Sequence, residues 1–213
     1  MKHASMHLAG RVRARLAAGG AVLVLGACTG MGQGGATAGD GAMDAAAMEQ
    51  AMSGWSAASR ESMAFMMGKY GPPAEMTSTM AMWNQTGPWK RTIISARAVP
   101  HAFPGMHDDV MEQFVDYRVP PAMFDEIAMY DGSVTIERTK GELSARCDKE
   151  GANFLALNLA HELATGRRGV EDARRKYAEE IMAMKAGRPT EYTQRLLFAP
   201  MPGNSMDPDR PAM

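Results

Sequence analysis

The sequence predicts an α+β domain: a mostly antiparallel sheet of about five strands with helices packed on one face. Three observations lead there. Short runs alternate apolar and polar residues, as half-buried strands do. Each run is joined to the next by a tight turn, a loop or one helix, so long parallel crossovers are not needed. Two long apolar stripes at helical spacing close the chain, at Ala152–Leu163 and Val170–Met184.

Taken in order, Asp44 is placed to cap a first helix, along which Met48, Met52, Trp55, Ser59, Ser62 and Met66 step by three and four. Gly71-Pro72-Pro73 ends it, since proline cannot continue a helix. Residues 80–84 and 89–99 read as two strands joined by Gln85-Thr86-Gly87-Pro88, with Trp83 and Trp89 placed to stack across the ladder. Lys90 and Arg91 beside Trp89 read as a solvated strand edge, with an anion-binding patch as the other possibility. Pro100 to Asp109 reads as an irregular loop. A third strand spans 112–119, and Pro121 opens a helix that Asp131-Gly132 closes after Tyr130. Residues 134–138 and 143–147 form a hairpin around Gly141, with Cys147 on its apolar side. Thr165 to Gly169 joins the last two helices into an antiparallel pair. The proline-rich segment 199–213 is expected to be disordered, leaving residues 44–198 as one domain.

The N-terminus reads as an address. Lys2, Arg11, Arg13 and Arg15 precede an uncharged run from Leu16 to Ala27. At about 12 residues the run is shorter than the roughly 20 needed to span a bilayer, and it fits a secretory signal peptide. Leu25-Gly26-Ala27-Cys28 resembles the lipobox of bacterial lipoproteins. The resemblance implies removal of residues 1–27 and acylation of Cys28, which would hold the chain on a membrane. Thr29 after the cysteine, where that family's inner-membrane members carry Asp, implies the outer membrane facing the periplasm. The Gly-rich residues 28–43 then serve as a tether. The first helix, Tyr70-Gly71-Pro72-Pro73 and the following hairpin also resemble small periplasmic lipoprotein domains of the outer-membrane assembly type. That resemblance carries no diagnostic motif and implies no functional residue.

Composition narrows the function. The formal charge is −1, and losing four basic residues with the signal peptide leaves the mature chain near −5, which disfavours a nucleic-acid partner. Of the two cysteines, Cys28 would be consumed by lipid, so Cys147 is expected as a lone thiol. Methionine is abundant, at 21 residues, and suits irregular cores as well as soft-metal ligation.

No catalytic set emerges. His161-Glu162-Leu163-Ala164-Thr165 has threonine where a zinc-protease helix needs its second histidine. Cys147, Asp148 and His161 have the residue types of a thiol nucleophile with its orienter and base. The apolar company of Cys147, however, predicts burial and a raised thiol pKa. His101, His107, Asp108 and Asp109 are the metal-site candidates: two imidazoles and two carboxylates crowd one loop and suit zinc or a similar ion. Met106 and Met111 nearby extend that possibility to copper. The first expectation is a non-enzymatic, lipid-anchored module, without cofactor, that binds an envelope protein or serves a structural role. The second is a periplasmic zinc- or copper-binding lipoprotein using the loop from His101 to Asp109.

Overall fold

The computed structural model describes residues 44–213. Residues 1–43, with the expected signal peptide, Cys28 and the expected tether, therefore lie outside the described residues. The described chain runs α1 (Ala45–Ala51), α2 (Ala57–Tyr70), β1 (Glu75–Met76), β2 (Met80–Thr86), β3 (Trp89–His101), β4 (His107–Asp116), a 3-10 turn (Pro121–Met123), α3 (Phe124–Tyr130), β5 (Val134–Glu137), β6 (Glu142–Cys147), α4 (Glu150–Ala164), α5 (Val170–Lys185) and α6 (Glu191–Gln194). All strands are antiparallel neighbours in one six-stranded sheet, ordered β1-β2-β3-β4-β6-β5. The α+β expectation holds, with β1 as a two-residue strand too short to leave a periodic signal.

One row of cross-strand partners explains the layering. Ala81, Ile94, Met111 and Cys147 pair in succession across β2, β3, β4 and β6, and all are buried. Met63 and Met66 of α2 share a core cluster with Ala81, Ile94 and Met111. Leu155 and Leu159 of α4 share the other cluster with Leu143, Ala145 and Cys147. The next row, Met82, Ile93, Glu112 and Arg146, points the other way and is half-buried. The strand period of two thus assigns the helices to one face. Among the described residues no helix is long and apolar enough to cross a membrane.

Four local expectations change. The first helix is two helices. Its second part starts at Ser56, whose hydroxyl accepts from Ser59 N, while Trp55 turns inward and donates Nε1–H to the Ser78 carbonyl at 2.9 Å. The serines that weakened the apolar stripe are buried donors: Ser59 Oγ donates to Ser95 O at 2.7 Å and Ser62 Oγ to Asp148 O at 2.9 Å. Trp83 and Trp89 do not stack on each other. Trp83 faces Thr92 across the ladder, and Trp89 stacks on Phe154 of α4 with centroids 4.7 Å apart. Lys90 pairs with Asp116 and Glu142, and Arg91 with Glu142, so these cations already have partners.

The fourth change concerns residues 199–213. They form no helix or strand but are attached to the domain: Met201 N donates to Asp116 O at 2.8 Å, Arg118 Nε to Ser205 O at 3.2 Å, and Arg138 pairs with Asp207 at 2.9 Å. Gly141, at φ +65°, leaves room for the Ser205 backbone, which a side chain there would strike.

Candidate metal centre

Residues 100–109, read as a loop, are mostly the end of a hairpin. β3 runs on to His101, β4 begins at His107, and the two histidines face each other across the ladder. β2 stops pairing at Ser95 and β6 begins pairing at Met111, so this end of the hairpin is a free two-stranded ribbon. Pro100 is tolerated there because the strand has no second neighbour requiring its missing N–H. Between Ile94 and Val99 the register shifts, and four residues of β3 oppose Val110 alone. The ribbon tip is fastened to the helices by Phe103, which packs on Tyr177 of α5 (5.0 Å between centroids) and carries the Arg174 guanidinium 3.9 Å above its ring.

The ribbon brings together three of the four candidates. His101, His107 and Asp109 offer ligand atoms that all lie within 4.8 Å of one another. His101 Nδ1 is 3.5 Å from Asp109 Oδ2, and His107 Nε2 is 3.2 Å from Asp109 Oδ1. Two donors on a tetrahedral zinc with bonds near 2.0–2.1 Å stand roughly 3.3 Å apart; each imidazole is near that distance from one of the two Asp109 oxygens, so the three residues need a small adjustment to share one ion. Asp108 does not join them; it is exposed and faces Pro100.

The outer contacts orient the imidazoles. His107 Nδ1 lies 2.9 Å from the Gly105 carbonyl, a contact that requires an Nδ1–H and turns Nε2 toward Asp109. His101 Nε2 faces the buried Asp131 carboxylate at 3.7 Å, leaving Nδ1 toward Asp109. Asp131 is itself held by accepting from Ser133 N at 2.9 Å and Ser133 Oγ at 2.8 Å. Metal-bound histidines characteristically use their second nitrogen on a carboxylate or a backbone carbonyl; His107 does so on the Gly105 carbonyl, while the Asp131 carboxylate faces His101 from beyond hydrogen-bond range.

The cluster is also where hydrogen bonding is incomplete. Six buried side-chain polar atoms lack a partner among the described residues; three of them, His101 Nδ1, Asp109 Oδ1 and Arg146 Nε, belong to this cluster. Arg146 Nε stands 3.7 Å from Asp109 Oδ2, beyond hydrogen-bond range, and balances part of its charge. Asp109 is 2% exposed, and its Oδ1 makes no well-aligned hydrogen bond although His107 Nε2 stands 3.2 Å away, which leaves the carboxylate incompletely satisfied.

Asp109 raises the His107 pKa to about 11, with Cys147 adding to the shift. Burial pushes the Cys147 thiol upward, and His107, raised that far, keeps a proton on the Nε2 that faces Asp109. A cation binding at Nε2 must displace that proton.

Cys147 is buried, as expected from the sequence, and makes no disulfide among the described residues; its histidine neighbour is His107. His161 lies elsewhere: its Nδ1 is 2.6 Å from Tyr117 Oη and its ring stacks on Phe198 at 4.6 Å. Burial lowers its pKa. His107 and Cys147 line a cavity of about 420 Å³ against α4 and α5. Asp131, Arg146 and the α5 wall were not legible as site residues. Asp131 looked like a helix stop and Arg146 like the polar half of a strand alternation. No family model, curated protein or solved structure matches the chain.

Proposed function

We propose that this chain is a lipid-anchored envelope protein whose domain binds a divalent transition ion of the zinc class through His101, His107 and Asp109. The convergence of two imidazoles on a buried carboxylate, with His101 Nδ1 and Asp109 Oδ1 making no well-aligned hydrogen bond, supports the reading. Two nitrogens and one hard oxygen suit zinc, and cobalt(II) as its spectroscopic substitute, better than calcium or magnesium, which prefer oxygen ligands throughout. The location rests on the basic head, the short apolar run and Leu25-Gly26-Ala27-Cys28. A Cys28→Ala chain should accumulate as uncut, unacylated precursor, and normal processing of that variant would refute the anchor.

Calorimetric titration of the metal-free protein with zinc tests the centre. One equivalent should bind more tightly than about 10 μM, or roughly 7 kcal/mol, with release of about one proton near neutral pH. His101→Ala and Asp109→Asn should each weaken binding by more than about 100-fold, since even outer-shell partners are worth 10–100-fold. Asp108→Asn should leave binding unchanged. Absence of binding by the parent, or equal binding by all four proteins, would refute the assignment.

A further inference from the structure

Three protein donors leave one position of a tetrahedral ion unfilled, the arrangement of reactive rather than purely structural zinc sites. The surroundings give that position a direction. Asp131 and Arg146, both from outside the ribbon, stand beside His101 and Asp109. His107 alone of the three donors lines the cavity of about 420 Å³, which lies within the size range of small-molecule sites. The wall beside it is formed by Cys147, Ala152, Tyr177, Ile181 and Met184, with Lys185, Lys149 and the carboxylates Asp108 and Asp148 also at the lining. Lys185 is exposed and makes no ion pair among the described residues, whereas Lys149, the other cation there, pairs with Glu61 and Asp148.

We infer that the cavity is a binding site for a small carboxylate with an apolar body, the carboxylate completing the coordination of the ion at His101, His107 and Asp109 while the body packs against Tyr177, Ile181 and Met184. This inference rests on the metal reading above and adds its ligand class. The ion takes the carboxylate and the apolar wall takes the body, which disfavours a sugar, while Asp108 and Asp148 at the lining disfavour a polyanion. Cys147 is the competing fourth ligand: it lines the same wall, and a thiolate on the ion would close the site.

The experiment uses the full chain loaded with cobalt(II) and follows its visible d–d absorption during titration with 3-phenylpropanoate. The expected result is a saturable spectral change with a Kd near or below about 1 mM. Ile181→Phe, which fills the cavity, should weaken that response by about tenfold while cobalt affinity stays the same. Lys185→Glu, an exposed change that spares the core, should weaken it about threefold and keeps the test valid if Ile181→Phe fails to fold. Cobalt binding with a sulfur-to-metal charge-transfer band and no response to the carboxylate would place Cys147 in the fourth position and overturn the inference, with the metal site intact. Cobalt binding with neither signal would overturn it equally. Failure to bind cobalt or zinc at all would bring down the metal reading and this inference with it.

Discussion

Two buried carboxylates sit on the helix-bearing side of this sheet, and their surroundings differ in kind. Glu150, at the start of α4, is saturated. Its Oε1 accepts from Trp89 Nε1 at 2.8 Å and Tyr70 Oη at 2.7 Å, and its Oε2 pairs with Lys69. Those partners come from α2 and β3, so one side chain ties three elements together. Asp109 is equally buried but loosely held: His107 Nε2 stands 3.2 Å from its Oδ1 without closing a well-aligned hydrogen bond, and His101 Nδ1 and Arg146 Nε stand 3.5 and 3.7 Å from its Oδ2. A satisfied polar cluster specifies a fold, whereas an unsatisfied one retains capacity for something that is not protein. Comparing the two separates architecture from site more clearly than burial alone.

The comparison can be broken at its strong end first. Glu150→Ala strips partners from the buried Trp89 indole and the Tyr70 hydroxyl, and should cost about 3 kcal/mol in urea unfolding. Zinc affinity of the folded fraction should not change. A loss below about 1 kcal/mol would mean that the saturated cluster contributes little to stability. At the other end, Asp131→Asn keeps an oxygen for Ser133 but removes the charge facing His101. It should weaken zinc binding by about tenfold with little change in the unfolding curve of the metal-free protein. Unchanged affinity would show that Asp131 serves the turn after α3 and does not orient the imidazole.

Much of the architecture was legible because it depends on periodicity. Val134, Ile136, Leu143, Ala145 and Cys147 alternate as a two-residue period requires, and α4 and α5 carry stripes that leave little choice. Errors arose where tertiary contacts override a local signal. The serines of α2 look like gaps in an apolar stripe, yet they bond to strand carbonyls and to the Asp148 carbonyl. Pro100, Pro104 and Gly105 look like a loop, yet a ribbon paired on one side accommodates Pro100. The proline-rich tail looks unattached, yet Arg118, Arg138 and Gly141 hold it. At the site, the crowding of His101, His107 and Asp109 was visible because neighbouring positions on a hairpin are close in sequence as well as space. Asp131 and Arg146 arrive from other elements, and no spacing rule links them to the histidines.

The bulge in β3 also decides which residues meet at the ribbon tip. His101 faces His107 only because four residues, Ser95 to Ala98, are absorbed opposite Val110. That slack is clamped from outside: Ala96 N donates to Thr79 O at 2.8 Å, and Ala96 O accepts from Ser56 N at 3.0 Å. The bulge therefore works as a spacer that sets the alignment of the ribbon separately from that of the sheet. A deletion within it would let the six strands assemble while sliding one imidazole out of reach of the other. Ser56 and Ser59, far in sequence from His101 and His107, in effect help set how the two imidazoles face each other.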